Sequence, residues 1–172
     1  MTEQMDEAAS PWASWPINRE VVMARVVDAD RETAFLAWTD REQIVQWFGP
    51  SGFRTKTHEI DIRAGGVWRF DMIAPDGTVF SNRMRFLRIE APSLIEFIHG
   101  TDAADDPDAF RMLVTFDEQD NGKTAVSIRQ MHPTDERRRI VIGFGAVEYG
   151  AQTWDKFADH TARKAGRAAR SV

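Results

Sequence analysis

The sequence contains no cysteine, so disulfide bonds and thiolate metal sites are both excluded. It also has no apolar run of roughly 18 residues, the length that a membrane-spanning helix requires. The first 16 residues, MTEQMDEAASPWASWP, are acidic and lack the basic and apolar regions of a secretory signal. Together these absences predict a cytoplasmic protein that does not enter a membrane.

Excess positive charge is missing as well. The formal net charge is −5 at pH 7, which argues against a nucleic-acid-binding protein because such proteins usually present a basic face. Two basic clusters, residues 137–139 and 163–170, are typical of solvated helix faces or helix C-termini. We therefore expect no nucleic-acid partner.

Motifs for metals, nucleotides and nucleophilic catalysis are absent too. The four histidines are His58, His99, His132 and His160, and none forms an HxH or HxxxH pair. The sequence has no GxSxG, Walker or GxGxxG motif. No metal, cofactor or catalytic residue is predicted from such motifs.

The length of 172 residues suits one domain with tails. We expect residues 1–17 to form a flexible N-terminal arm, residues 18–165 a single domain, and residues 166–172 a basic C-terminal tail. Trp12 and Trp15 are unusual in such an arm. They could dock on the domain or on a second subunit, or have no role.

The first ordered segments are predicted to be a strand and two short helices. Residues 19–28 are β-branched and apolar, as in a strand. Asp30 is a favourable N-cap for a first helix, and Asp40 for a second, REQIVQWF. Gly49 and Pro50 are expected to end this second helix.

A period of two then dominates up to about residue 131, which predicts successive strands joined by short turns. Short turns imply antiparallel neighbours, because a parallel crossover needs a dozen or more residues. The predicted strands are residues 55–63, 67–73, 78–89, 94–99, 109–116 and 124–131.

A helical pattern follows Pro133 and predicts one long amphipathic helix that ends near Lys164. Gly143, Gly145 and Gly150 weaken it, so they could mark a kink, a break or a close approach to the sheet. The apolar stripe consists of Ile140, Phe144, Val147, Ala151, Trp154 and Ala158.

Several short motifs in this order carry a family resemblance. They are WTD at 38–40, QWFGP at 46–50, DIRAGG at 61–66, WRF at 68–70, PDG at 75–77, and WDKF at 154–157 after Gly150. Over roughly residues 18–162 the chain resembles the START-like (SRPBCC) superfamily, in its branch of homologues of the heat-shock protein 90 ATPase activator (AHSA-type).

The resemblance implies an α+β helix-grip fold of the Bet v type. In this fold a curved antiparallel sheet of about six to seven strands wraps around a long C-terminal helix, with two short helices after the first strand. It also implies a cavity between sheet and helix. The motifs themselves are packing and turn motifs, so they do not identify a ligand.

The candidate ligand-binding residues come from strand parity, since alternate residues share one face of a sheet. In IDIRAGGVWRFDM the bulky residues face one way, and the same rule extends to later strands. The one tyrosine, on the predicted long helix, is added because its phenol could bond a buried ligand or the sheet. The candidates are Trp68, Phe70, Met72, Asn82, Met84, Phe97, His99, Met112, Gln130, His132 and Tyr149.

Each candidate also has a structural interpretation. The bulky face could be a filled core, as could Met112. His99 could bond to a loop or to solvent at the end of its strand, and Asn82 could make a cross-strand hydrogen bond. Tyr149 could simply stabilise its helix.

Three functions stay open. The first is binding of a small hydrophobic or aromatic molecule in the cavity. The second is an enzyme of the cyclase or hydrolase type, as in related grip folds, which requires two of Asn82, His99, His132 and Tyr149 to converge. The third is a co-chaperone-like protein-interaction module with a role in the stress response. Homodimerisation also stays open.

Overall fold

The computed structural model describes residues 17–170, with side chains as far as Gly166. The predicted arm with Trp12 and Trp15 lies outside the described residues. A short 3₁₀ turn, Ile17–Arg19, precedes the domain. The strands are β1 (Glu20–Val27), β2 (Arg54–Ile60), β3 (Val67–Ile73), β4 (Val79–Glu90), β5 (Leu94–Thr101), β6 (Phe110–Glu118) and β7 (Thr124–Met131), and the helices are α1 (Arg31–Thr39), α2 (Arg41–Trp47), α3 (Asp135–Gly143) and α4 (Ala146–Arg170).

All seven strands form one antiparallel sheet in the order β1-β7-β6-β5-β4-β3-β2. Strands β2 to β7 follow one another as a meander. β1 closes the other side of β7, with Glu20 opposite Met131 and Val27 opposite Thr124. The long helix α4 and the two short helices complete the predicted α+β helix-grip fold, which is confirmed.

Two aspartates position the short helices over the sheet. Asp30 Oδ1 accepts a hydrogen bond from the Thr33 amide at 2.7 Å and begins α1. Asp40 ends α1 by donating its N–H to the Leu36 carbonyl, and its own Oδ1 accepts from the Glu42 amide at 2.8 Å to begin α2. A single residue therefore caps both helices and holds them in one unit.

Of the three alternatives for the glycines after Pro133, the break is the one observed at Gly143–Gly145, where the chain divides into α3 and α4. Gly145 lies at φ +90°, a conformation that glycine adopts without strain and that ends helical geometry. The predicted apolar stripe is buried only in its last part. Ile140, Phe144, Val147 and Ala151 are exposed, whereas Trp154 is buried and Ala158 is half-buried.

Two predicted boundaries are also wrong. β2 ends at Ile60 and not at residue 63, because the Asp61 amide already donates across the turn to the Val67 carbonyl at 2.9 Å. α4 continues past Lys164 to Arg170, so the described part of the predicted basic tail is helical. The turn before β3 is thus longer than predicted, and the long helix extends further.

Half of the inner face of the sheet is a filled aromatic core. Trp68 and Phe70 stack with their ring centroids 3.9 Å apart, and Phe48 meets these rings edge-on at 5.3 and 5.6 Å. Trp38 packs over Phe97 at 6.1 Å. Because α1 and the end of α2 deliver these rings, little space remains above β3 to β5.

Ion pairs cover the outer face of the sheet. Glu96 is 5% exposed and lies between the guanidinium groups of Arg88 and Arg111. Asp102 bonds both Arg69 and Arg83 at 2.7 and 3.0 Å. These pairs satisfy the acidic groups of that face.

Candidate functional site

A cavity of about 260 Å³ lies between the inner face of the sheet and the helices. Residues of β1, β3, β5, β6 and β7 line one side, the ends of α1 and α2 line a second, and α3 and α4 cover it. The lining residues are Met23, Trp38, Trp47, Phe48, Gly49, Pro50, Met72, His99, Phe110, Met112, Ile128, Gln130, His132, Val141, Ala146, Tyr149, Gly150, Thr153 and Trp154.

The structure divides the residues predicted from strand parity into three groups. The cavity is lined by Met72, His99, Met112, Gln130, His132 and Tyr149. Asn82 lies beside it, in contact with His99. Trp68, Phe70, Met84 and Phe97 do not line the cavity and are fully buried in the core. Phe48 packs on Trp68 and Phe70, and Trp38 packs on Phe97, which strand parity alone does not reveal.

Sequence reasoning missed the aromatic wall. Trp38, Trp47 and Phe48 line the cavity from α1 and α2, and Trp154 lines it from α4. Of these four, only Trp154 was placed from the sequence, on the apolar stripe of the long helix. Trp38 packs against the other three, with centroids 4.9, 6.1 and 6.4 Å from those of Trp47, Phe48 and Trp154. The Gly49 and Pro50 that follow α2 were the available signal, because they carry the chain along the cavity wall.

Trp38 brings an unsatisfied polar atom to this apolar wall. The Nε1 of Trp47 donates to the Ala37 carbonyl at 2.8 Å. The Nε1 of Trp38, in contrast, is buried and has no hydrogen-bond partner among residues 17–170. Buried donors are nearly always paired, so this N–H is an exception; it is enclosed by protein and does not open onto the cavity.

His99 and Asn82 form a polar pair within the inner face. The Nε2 of His99 lies 3.0 Å from Asn82 Oδ1, and Asn82 Nδ2 donates to the Phe80 carbonyl at 2.7 Å. The His99 ring also packs against Phe110 with centroids 5.1 Å apart. Burial lowers the pKa of His99 to about 4, so the ring is neutral at pH 7.

His132 lies on the other side of Phe110, with ring centroids 5.0 Å apart. It is 2% exposed, and both of its ring nitrogens lack a partner within the described part of the chain. Burial and the positive charges of Arg137 and Arg138 lower its pKa to about 4. His132 is therefore a second neutral imidazole at the cavity.

Helix α4 contacts the segment that follows α2 and also strand β1. Lys156 Nζ donates to the Gly49 carbonyl at 3.0 Å, and burial lowers the pKa of this lysine. Gly150 allows α4 to approach β1 closely, since a Cβ there would lie 2.8 Å from Met23 Cε. These contacts therefore hold α4 over the cavity, and Met23 and Gly150 determine how closely α4 approaches the sheet on that side.

A second, more polar cavity of about 310 Å³ adjoins the first and shares His99 and Phe110 with it. Asp106 is engaged there by Thr101 and by the Asp108 amide, and Asp108 pairs with Arg137 at 3.6 Å. These charges compensate one another. The pair of His99 and Asn82 thus lies at the border between an apolar and a polar compartment.

The chemistry of the first cavity follows from its lining. No Asp, Glu, Lys or Arg side chain of the described residues lines it. No group of three or more histidine, aspartate or glutamate side chains in residues 17–170 could hold a metal ion. A space of this kind suits an uncharged, largely apolar molecule with few polar atoms.

Comparison with known proteins assigns the family. The family model "Activator of Hsp90 ATPase homolog 1-like protein" matches residues 28–162. The chain belongs to this family. The match covers α1 to the body of α4, which includes every cavity-lining residue except Met23. No curated protein matches the sequence.

Solved structures support the fold of this family member. A protein from Arthrobacter aurescens has a TM-score of 0.78 and 20% identity, over 85% of this chain and 87% of that one. A Nitrosomonas europaea protein gives 0.75 and 17%, over 87% and 97%. The AHSA1 protein of Silicibacter pomeroyi gives 0.68 and 17%, over 84% and 99%. At these identities the likeness concerns the fold.

Among the described residues, no helix is both long and apolar enough to cross a membrane. α4 is long, but charged residues such as Glu148, Asp155 and Lys156 recur along it.

Proposed function

We propose that this protein binds a small, uncharged, largely apolar molecule, with aromatic molecules favoured, in the cavity beneath α3 and α4. The observation that carries the proposal is the cavity itself, which has a volume of about 260 Å³ and no charged lining among the described residues. Aromatic rings dominate one wall, and rings of a ligand stack well on such walls.

Native mass spectrometry of the freshly purified protein is the first test, compared with the same sample after denaturation. The expected result is a reproducible additional mass that disappears on denaturation. If the natural ligand is lost during purification, titration with 1-naphthol tests binding directly. Tryptophan fluorescence reports this binding, since Trp38, Trp47 and Trp154 line the cavity.

A pair of variants on α4 makes this titration specific. Ala146 lines the cavity, so Ala146→Phe fills it and is expected to weaken 1-naphthol binding at least tenfold. Ala151 is exposed on the same helix, so Ala151→Phe is the matched control and should bind as the wild type does. Equal weakening by both variants, or no binding by the wild type, would contradict the proposal.

One observation favours a second candidate, catalysis on a hydrophobic substrate. Two of the groups named from the sequence, His99 and Asn82, do meet at 3.0 Å. An asparagine does not exchange protons at neutral pH, so the pair offers one base and no acid, and binding explains it more simply. A co-purified molecule that differs in mass between the wild type and His99→Gln would favour catalysis.

A further inference from the structure

The hydrogen bonds around Asn82 determine which nitrogen of His99 carries the proton. Asn82 Nδ2 donates to the Phe80 carbonyl at 2.7 Å, which fixes the orientation of the amide. Asn82 Oδ1 therefore faces His99 Nε2 at 3.0 Å. An amide oxygen only accepts hydrogen bonds, so the Nε2 of His99 must carry hydrogen.

The other ring nitrogen is consequently an acceptor. A neutral imidazole has one N–H, so with Nε2 protonated the Nδ1 of His99 presents a lone pair. Nδ1 has no hydrogen-bond partner in residues 17–170, and it is not among the nitrogens enclosed by protein. Both cavities that His99 lines are on the inner face, so this lone pair is available to a molecule bound there.

Packing keeps the ring in this orientation. The His99 ring lies among Phe70, Phe97 and Phe110, with centroids 6.2, 6.5 and 5.1 Å away. Rotation of the imidazole would displace these packed rings and would break the bond to Asn82. The acceptor is thus preorganised, which lowers the entropic cost of recognising a donor.

The lining decides which donors fit. Because no charged side chain of the described residues lines the first cavity, a charged ligand would lose its hydration without gaining a counter-ion. An uncharged hydroxyl can donate to the imidazole nitrogen and leave the rest of the molecule against the aromatic wall.

We propose that His99, held in the Nε2–H tautomer by Asn82, selects neutral ligands that carry a hydroxyl hydrogen-bond donor. His99 is a specificity-determining residue, and Asn82 is its positioning residue. The inference rests on the proposed binding function and names the class of ligand: aromatic or alicyclic alcohols and phenols, as distinct from ethers, hydrocarbons and carboxylates of the same size.

Three probes with one ring system test the selectivity. They are 1-naphthol, 1-methoxynaphthalene, which lacks the donor, and 1-naphthoate, which is an anion at pH 7. The wild type is expected to bind 1-naphthol about tenfold more tightly than the ether, the ratio expected for one hydrogen bond. Binding of 1-naphthoate should be weaker than that of either neutral probe.

Two variants of Asn82 test how the selectivity arises. Asn82→Leu removes the acceptor for Nε2–H and is expected to reduce the preference for 1-naphthol, because only the fraction of His99 in the Nε2–H tautomer then presents the acceptor. Asn82→Asp keeps an acceptor oxygen at that position, so the preference for 1-naphthol should remain. The ¹⁵N shifts of the His99 ring report the tautomer directly, with Nε2–H expected in the wild type and a tautomer mixture in Asn82→Leu.

The outcomes separate the two proposals. Equal binding of 1-naphthol and 1-methoxynaphthalene by the wild type would overturn the selectivity and leave the binding function standing. An Nδ1–H tautomer in the wild-type spectrum would overturn it too, even if Asn82→Leu does not fold. Failure of all three probes to bind would overturn both proposals.

Discussion

The two halves of the inner sheet face have the same apolar character but different contents. Above β3 to β5, Trp68, Phe70 and Phe97 are fully buried beneath rings from α1 and α2. Towards β6, β7 and β1, Met112 and Ile128 face the cavity. The difference therefore comes from what lies above the sheet, and the strands themselves are alike.

The helices above each half explain this difference. α1 and α2 are capped by a shared aspartate and pack aromatic rings directly onto the sheet. α3 and α4 are separated by the break at Gly145, and they turn residues such as Phe144 outward. Because α3 and α4 direct bulky residues such as Phe144 to solvent, space remains between these helices and the sheet.

The largest expected loss of stability is in the half of the inner sheet face that aromatic rings fill, above β3 to β5. Phe97→Ala should lower the free energy of unfolding by about 4 kcal/mol, because it removes a fully buried ring that packs on Trp38 and Phe86. Chemical denaturation followed by tryptophan fluorescence measures the change. A loss below about 2 kcal/mol would show that this half is less tightly filled than the structure indicates.

Met112→Ala is the corresponding substitution in the half of the inner sheet face that borders the cavity. Met112 is 3% exposed but borders the cavity, so part of its surface already lacks packing partners. We expect a loss near the lower end for such substitutions, about 2 kcal/mol. Equal losses at Phe97 and Met112 would remove the distinction between the two halves.

The next prediction concerns the pH dependence of stability, and it depends on two histidines that line the cavity. The folded-state pKa values of His99 and His132 are lowered to about 4 from 6.5. Below pH 6.5 these two histidines therefore take up protons in the unfolded chain, whereas in the folded chain they stay neutral down to about pH 4. Stability should be unaffected by these groups above pH 6.5 and should fall between pH 6.5 and 4, by up to about 3 kcal/mol for His132.

Denaturation midpoints at pH 7, 6, 5 and 4 measure this loss, with His132→Leu as the comparison. The variant should show a smaller decline over this window, because one of the two histidines no longer titrates. Arg137 and Arg138 oppose protonation of His132, so the decline should also soften at high salt. An unchanged pH profile in His132→Leu would contradict the assignment.

The smallest expected effect on stability comes from Gly150→Ala. Its new Cβ would lie 2.8 Å from Met23 Cε, so the flexible thioether must move, while alanine favours the helix by about 1 kcal/mol. The net change should stay below about 1 kcal/mol. Because Met23 lines the cavity, 1-naphthol binding should nevertheless weaken several-fold.

Gly166→Ala provides the control for this variant. Gly166 also lies in α4, but nothing is within 4 Å of the position that its Cβ would occupy. It should gain helix stability and leave 1-naphthol binding unchanged. Weakened binding in Gly166→Ala would show that the readout reports helix propensity and not the height of the cavity.

Local patterns in the sequence were enough to predict much of this fold. The caps at Asp30 and Asp40, the period-two strands and the turns between them all depend on neighbours in the chain. The sequence also suggested weakness at Gly143 and Gly145. It did not show that the helix breaks there, because the outcome depends on contacts with distant strands.

The site was harder to predict for the same reason. Parity identified the inner face, including His99 and Met112, but it could not separate a covered position such as Phe97 from an open one. That separation depends on how far Trp38 and Phe48 reach from another part of the chain. Local periodicity carries no information about such distances.

The shared cap at Asp40 has a consequence for how this chain can vary in length. With no spacer between α1 and α2, adding or deleting one residue there would turn α2 by about 100° about its axis. Trp47 would then leave the wall that it shares with Trp38. Natural or engineered length changes should therefore be tolerated after Pro75 or around Asn121, in exposed turns, but not at this junction.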